Sequence, residues 1–219
     1  MKRLLIAVSF FASFSSAAHQ DYAIEYSNKV IDFMQNTKLM KPVQKIDLPK
    51  PDLKNAPVYV KDFYEMNPIQ KQNIKASIKI GNKYQYHTAK PVESSSDKRL
   101  GYQLAAISWI ESRACKDTGK GKKNHHAYGC FQILYNTAKT RTPEMSGASS
   151  KRLLVSRLET LQGGSDYALQ ELEYWLSYHK GDMKKALASY NAGFSYSSRE
   201  AKTYSKMVMN TASLIEKHF

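Results

Sequence analysis

The chain has 219 residues, enough for one ordinary globular domain with an extension and too few for two large domains. With 42% hydrophobic and 24% charged residues, its composition is that of a globular protein and excludes a wholly disordered chain. Lysine and arginine (33) outnumber aspartate and glutamate (19), which gives a net charge of +14. This excess favours polyanionic partners without identifying one, because a solvated basic surface has the same composition.

The first 18 residues have the pattern of a secretory signal peptide. Lys2 and Arg3 precede an apolar run from Leu4 to Phe14, and small residues follow, so we expect cleavage after Ala18. A membrane anchor is the alternative, but the apolar run is well short of the ~20 residues that a spanning helix needs. We therefore predict export to the periplasm or cell envelope. There, wall polymers or lipid head groups are more natural polyanionic partners than nucleic acid.

Residues 19–93 are predicted to form an N-terminal extension, followed by a helical domain over residues 94–219. Apolar residues at helical spacing indicate a helix from about Tyr22 to Met40. A Lys/Pro-rich segment comes next, and its prolines remove helical donors and favour an extended strap. The extension is either a docking segment for a partner or a wrap around the following domain.

The stretch from Val58 to Tyr86 is mixed in character. We expect a helix broken near Pro68 and then a short strand-like run around Gly81 and Asn82. Pro91 and the serine cluster that follows it mark the predicted domain boundary.

From Leu100 onward the periodicity is helical. Apolar residues recur at three- and four-residue steps as far as Ala114, which predicts a helix there. Serine or aspartate before an apolar run is a typical helix start, and glycine a typical helix end. On these signals the further expected elements are a short helix within Tyr128–Ala138, a helix capped by Ser165 that stops at Gly181, a helix capped by Asp182 that stops at Gly193, and a last helix over Ser198–Lys217.

The two cysteines, Cys115 and Cys130, lie close together in the sequence. In an oxidising compartment such a pair indicates a disulfide, and closing a loop of ~15 residues would stabilise the fold by about 3 kcal/mol. A metal site is an alternative because His125 and His126 lie between them, but the spacing fits no common zinc pattern. Free thiols are the third possibility. We expect the disulfide, with no metal and no cofactor.

Glu111 is the candidate catalytic residue. It lies seven residues after Leu104 and four after Ile107, so it projects from the apolar stripe of its helix, near the helix end. Burial disfavours a charged carboxylate and favours its protonated form, which a general acid needs at neutral pH. The alternative is an ordinary helix-end glutamate paired with Arg113 or a nearby lysine.

The segments around Glu111 resemble the catalytic domain of the soluble lytic transglycosylases, which belongs to the lysozyme-like superfamily. That family carries Glu-Ser at a helix end, a Gly-Leu-Met-Gln-like turn and a Tyr-Asn-Ala-Gly segment, in this order. The similarity covers about residues 97–219. Its matching residues here are Ile110-Glu111-Ser112, Tyr128 to Ile133 and Ser189 to Gly193, with weaker matches at Leu161, Gly164 and Tyr167 and at Glu200 and Tyr204.

The resemblance implies a mainly α, lysozyme-like catalytic domain with the N-terminal extension ahead of it. Physical roles suit the residue types: Gly129 lets the backbone pass close to a sugar, and Gln132 can both donate and accept hydrogen bonds. Two departures from the family pattern are Cys130, at an aliphatic or Met position, and Ala201, at a Thr position. The implied substrate-binding residues are Ser112, Gly129, Gln132, Tyr190, Asn191, Glu200 and Tyr204.

The resemblance also implies a reaction on peptidoglycan glycan strands. Most glycosidases use two carboxylates, whereas the nearest second acid here, Asp117, falls in a predicted loop. In the implied mechanism Glu111 protonates the bond between N-acetylmuramic acid and N-acetylglucosamine, and the substrate's acetamido group supports the anomeric centre. Glu111 then removes the proton of the C6 hydroxyl, which closes a 1,6-anhydro ring.

Two alternatives stay open. One is a hydrolase on the same scaffold, a lysozyme of the goose or phage type, in which water attacks the sugar. The other is a wall-binding assembly protein that keeps the fold without turnover. Short exported proteins of this kind resemble those that open the wall for secretion or conjugation machines or for phage, and residues 19–93 are the candidate docking segment for such a partner.

Overall fold

The computed structural model describes residues 53–84, 100–119, 126–142 and 148–219, and most of these described residues are helical. The predicted signal peptide, the Tyr22–Met40 helix, the Lys/Pro-rich strap and the boundary at residues 93–94 lie outside these residues. The described elements are α1 (Val58–Tyr64), α2 (Pro68–Lys83), α3 (Gly101–Ser112), β1 (Ala127–Tyr128), β2 (Ile133–Leu134), α4 (Tyr135–Arg141), α5 (Ala148–Glu159), α6 (Leu161–Tyr178), α7 (Met183–Ala192), a 3₁₀ turn (Gly193–Ser195) and α8 (Arg199–His218). The mainly α prediction is confirmed.

The break near Pro68 is confirmed, and the strand-like run after it is wrong. Asn67 caps α2 in a capping box with Gln70, and Pro68 takes the first helical position, where a missing N–H costs nothing. The helix then continues without interruption to Lys83. The turn-like pair Gly81 and Asn82 lies inside a helix because α2 packs closely against α3 at this point. A Cβ at Gly81 would lie only 2.7 Å from the Cα of Gly101, so glycine is needed there for packing and not for a turn.

Helices α1 and α2 contribute to the same hydrophobic core as the later helices. Phe63, Met66 and Ile74 are buried in it, and the Nε1 of Trp109 on α3 donates to the carbonyl of Tyr59 at 3.0 Å. Helix α3 packs against both α2 and α8. Residues 58–83, which the sequence assigned to the extension, therefore share one core with the family-like part of the chain, while the boundary at residue 94 stays a prediction.

The later helices follow the predicted caps with one exception. Asp182 accepts from the Lys185 N–H at 3.1 Å and Ser198 from the Ala201 N–H at 3.1 Å, as N-caps do. Ser165 is not a cap, because it lies buried inside α6 and donates to the Leu161 carbonyl. Thr160 caps that helix instead, so α6 begins five residues earlier than expected.

The segment from Tyr128 to Ala138 begins in a β-hairpin and ends in a helix. Strand β1 pairs antiparallel with β2, Ala127 opposite Leu134, and α4 begins only at Tyr135. The predicted short helix was therefore wrong in its first half, because Gly129 and Gln132 both have positive φ, which interrupts a right-handed helix. Helix α5 was not anticipated. No helix in the described part of the chain is long and apolar enough to cross a membrane.

Candidate active site

Glu111 lies in the last turn of α3, half-buried among helices. Tyr204 of α8 donates its phenol to Oε1 of Glu111 at 2.5 Å. Burial raises the pKa of Glu111 from 4.5 to about 7, and the hydrogen bond from Tyr204 opposes that rise. Among the described residues, no neighbouring charge adds to the shift. Glu111 is thus a carboxyl group that can both give and take a proton near neutral pH.

Two tyrosines form one side of the site. The rings of Tyr190 and Tyr204 are parallel within 6°, with centroids 6.5 Å apart, and the phenol of Tyr190 donates to the Phe131 carbonyl at 3.1 Å. Burial, and then the charge of Glu111, raises the pKa of both phenols well above the ordinary value. Both groups therefore stay protonated and act as hydrogen-bond donors.

The chain immediately after Glu111 makes an unusual left-handed turn. Arg113, Ala114 and Cys115 have φ values of 54°, 54° and 71°, which non-glycine residues rarely adopt. Contacts on several sides hold this turn in place. Gln70 and Asn73 of α2 donate to the carbonyls of Arg113 and Ala114 at 2.8 and 3.0 Å, and Arg113 pairs with Asp62 at 2.8 Å.

The predicted disulfide between Cys115 and Cys130 is present and closes this turn against the β1–β2 hairpin. Ser112 reinforces the same junction. Its buried hydroxyl lies 2.8 Å from the Cys130 carbonyl and 3.1 Å from the Ser108 carbonyl, and it accepts from the Cys115 N–H at 2.9 Å. Because that hydroxyl is occupied by the protein, Ser112 suits a positioning role rather than contact with a sugar.

Gly129 and Gln132 shape the hairpin turn. A Cβ at Gly129 would lie 1.9 Å from the Leu158 carbonyl oxygen, so the close approach expected from a sugar is made by the protein's own backbone. The amide of Gln132 donates to the carbonyls of Gly129 and Thr118 at 2.7 and 3.0 Å. Both residues hold the turn beside α3, and their contact with substrate stays a prediction.

Asn191 and Glu200 are both exposed. Asn191 follows Tyr190 at the end of α7, and Glu200 lies in the first turn of α8, one turn before Tyr204. The structure thus joins Glu111 to Tyr204 by a hydrogen bond, with the ring of Tyr190 parallel to that of Tyr204. Ser112, Gly129 and Gln132 make their contacts with the protein backbone, and Asn191 and Glu200 are open to solvent. Asp117, the second acid considered, is also exposed.

A buried carboxylate that sequence reasoning missed lies beyond Tyr190. Glu171 of α6 accepts from Arg141 at 2.7 Å and from the Trp175 indole at 2.6 Å, and its charge contributes to the raised pKa of Tyr190. Its position in the sequence was the missed signal. Glu171 lies four residues after Tyr167 and four before Trp175, on the buried face of α6, and the same kind of spacing had singled out Glu111. With both carboxylate oxygens occupied, Glu171 supports the site from behind.

A mainly helical domain that holds a half-buried carboxyl group of raised pKa at the end of a central helix fits a lysozyme-like architecture. Residues 93–210, more than half of the chain, match the Transglycosylase SLT domain family. The chain belongs to that family. Family membership makes it a lytic transglycosylase-like protein and peptidoglycan its class of substrate.

A curated relative has been found in a bacteriophage. The chain is 33% identical over 156 residues to an uncharacterised 20.7 kDa protein from the vs-regB intergenic region of Enterobacteria phage T4. The alignment covers 68% of this chain and 81% of the phage protein. No solved structure matches the chain.

Proposed function

We propose that this protein is a peptidoglycan lytic transglycosylase that cleaves the β-1,4 bond between N-acetylmuramic acid and N-acetylglucosamine. The observation that carries the proposal is the Glu111 carboxyl group, whose pKa of about 7 suits both halves of an acid–base cycle. Membership of the SLT family supports the choice of substrate.

In the proposed first step, the protonated Glu111 gives its proton to the glycosidic oxygen as the bond to the muramic C1 breaks. The substrate's acetamido group supports the positive charge at C1. The leaving N-acetylglucosamine carries the proton away on its hydroxyl, and Glu111 becomes a carboxylate. The phenol of Tyr204, 2.5 Å from Oε1, stabilises that charge by a charge-assisted hydrogen bond.

In the proposed second step, the Glu111 carboxylate removes the proton of the muramic C6 hydroxyl while O6 bonds to C1. The 1,6-anhydro ring closes and Glu111 is protonated again, so the cycle consumes no water and needs no second carboxylate. This agrees with a site in which Glu171 is already held by Arg141 and Trp175.

Product analysis tests the proposal. Purified protein incubated with peptidoglycan sacculi should release fragments that end in 1,6-anhydromuramic acid, detected by mass spectrometry. Glu111→Gln should lower the rate at least about 100-fold, because general acid–base catalysis contributes a factor of that order. Glu65→Gln, an exposed carboxyl of the same type, is the matched control and should keep full activity.

Other products would change the assignment. Reducing muramic ends in place of anhydro ends would make the protein a hydrolase of the lysozyme type. An unchanged biological effect of Glu111→Gln would instead indicate a wall-binding assembly protein. Export with removal of residues 1–18 is a further part of the proposal, which N-terminal sequencing of the periplasmic protein would check. Docking of residues 19–93 on an envelope machine is another, which a pull-down with the whole mature protein would check.

A further inference from the structure

A basic groove of about 740 Å³ lies between α7 and α8, away from Glu111. On α8, Lys202, Lys206 and Met209 line it, whereas Tyr204 of the same helix reaches Glu111. With 3.6 residues per turn, those three side chains leave the helix on the face away from Tyr204. The groove and the candidate active site therefore lie on opposite faces of the same helix pair.

Most of the charged groups in the lining are basic. Of the described residues that line the groove, four are lysines and one, Asp182, is acidic. Asp182 already caps α7 and lies 3.4 Å from the Nζ of Lys185. Lys202 and Lys206 are four residues apart on one helix, an arrangement in which like charges repel. An anionic ligand would relieve this repulsion. The four lysines are Lys184, Lys185, Lys202 and Lys206.

Most of the exposed surface of the groove is apolar. Ala188 and Met209 contribute apolar surface, and the ring of Tyr196 forms part of the wall. Ser197 and Asn210 supply hydrogen-bonding groups. A volume of this size is typical of a ligand site that combines an apolar lining with a few polar groups. A matching ligand carries carboxylates and small apolar groups together, as an acidic peptide of alanine-like residues does, whereas a phosphodiester polymer has less to place on the apolar surface.

We propose that this groove binds the acidic stem peptides of peptidoglycan. These peptides alternate methyl side chains with free carboxylates, and the groove offers apolar surface beside four lysines. The inference rests on the proposed function for the identity of the wall polymer. Because the groove and Glu111 face opposite ways, the bound peptide belongs to a neighbouring strand of the mesh. Two contacts per molecule raise the effective concentration of the enzyme on its substrate.

Binding to sacculi tests the groove independently of turnover. All variants carry Glu111→Gln so that the strands stay intact, and co-sedimentation measures affinity at low and high salt. We expect Lys202→Glu with Lys206→Glu to weaken binding about tenfold at low salt, an effect that high salt reduces. The matched control is Lys71→Glu with Lys75→Glu on α2, an exposed pair with the same spacing and the same change in charge. The control should lose less than about twofold.

A second substrate identifies the ligand. Removal of the stem peptides by an amidase frees the glycan strands from the mesh, so these stripped strands are coupled to beads for co-sedimentation. They should bind the protein with the unaltered groove weakly, and the groove variant should lose nothing further on them. Equal losses for the groove pair and the α2 pair would overturn the proposal, because overall charge alone would then explain binding. An equal loss on intact sacculi and on the stripped, bead-bound strands would also overturn it and favour another anionic polymer.

Two further measurements distinguish a groove effect from misfolding and from a loss of catalysis. Circular dichroism and thermal unfolding check each variant, and Lys202→Gln with Lys206→Gln, a milder change, should give a smaller loss in the same direction. Protein with Glu111 intact and the groove pair changed should still produce anhydro ends from soluble glycan fragments. A missing anhydro product with a preserved groove effect would overturn the proposed reaction alone.

Discussion

At Glu111, two opposing effects set the proton affinity of one carboxyl group. Burial raises its pKa and the phenol of Tyr204 lowers it, with a net value of about 7. Catalysis that begins with the protonated acid should therefore be full well below pH 7 and fall as the pH rises through about 7. The same shift makes the folded state bind a proton more tightly than the unfolded chain, so stability should decrease as the pH rises from 4.5 to about 7.

Replacing Tyr204 by Phe removes the hydrogen bond and keeps the ring stacked on Tyr190. Since that bond lowers the pKa of Glu111, its loss should move the falling limb of the kcat/KM profile to higher pH. The maximal rate should also drop, by about tenfold or more, because a hydrogen bond to a charged group contributes about 1.5–3 kcal/mol. A pH–rate profile with Tyr178→Phe, an exposed tyrosine, as control measures both effects. A limb that stays in place or moves to lower pH contradicts the proposed contact.

At the scale of elements, the β1–β2 hairpin and the left-handed turn after α3 decide where Glu111 is held. The predicted apolar stripe of α3 was wrong, since the consecutive residues from Leu104 to Trp109 are all buried and Glu111 is half-buried. Sequence periodicity predicted the helix itself correctly because a helix repeats its contacts every turn. It did not reveal the hairpin, since strands of two residues are too short to show an alternating pattern. The positive φ angles of Gly129 and Gln132 depend on contacts with Leu158 and Thr118, which come from other parts of the chain.

Gly129→Ala tests the hairpin turn. The new Cβ would meet the Leu158 carbonyl at 1.9 Å and would also disfavour the φ of +72°. We expect a destabilisation of more than about 2 kcal/mol in urea unfolding, from strain and overpacking together. Gly193→Ala is the control, because φ there is +57° but nothing lies within 4 Å of the new Cβ. It should cost less than Gly129→Ala, because backbone strain acts there without a steric clash. Equal costs would show that the Leu158 contact is unimportant.

At the scale of the whole molecule, one core joins α1 and α2 to the helices that carry the family motifs. Gln70 and Asn73 of α2 reach the carbonyls of the turn after Glu111. Phe63 and Met66, around the end of α1, are buried in the same core. Residues that resemble no motif thus help to hold the active-site turn. A fragment that begins at residue 94 would expose these surfaces.

The disulfide links that turn to the hairpin, and its loss should weaken both stability and activity. Cys115→Ser with Cys130→Ser should lower the free energy of unfolding by about 3 kcal/mol, as expected for a closed loop of this length. Activity should also fall at a temperature where the variant is still folded, because the turn after Glu111 is less constrained. Urea unfolding and product release measure the two losses. The chain has no other cysteine, so reduction of the unaltered protein should reproduce the effect, and an unchanged unfolding midpoint after reduction would contradict it.

The sequence by itself determined the helical class, the break at Pro68, the caps at Asp182 and Ser198, and the position of Glu111 near the end of its helix. These are local properties, set by helical periodicity and by side chains that bond to their own backbone within one turn. Only the tertiary structure decided that Gly81 is inside a helix, that Ser165 is not a cap and that Tyr204 donates to Glu111, 93 residues away. Such features depend on burial and on partners distant in sequence, and the proton affinity of Glu111 is one of them.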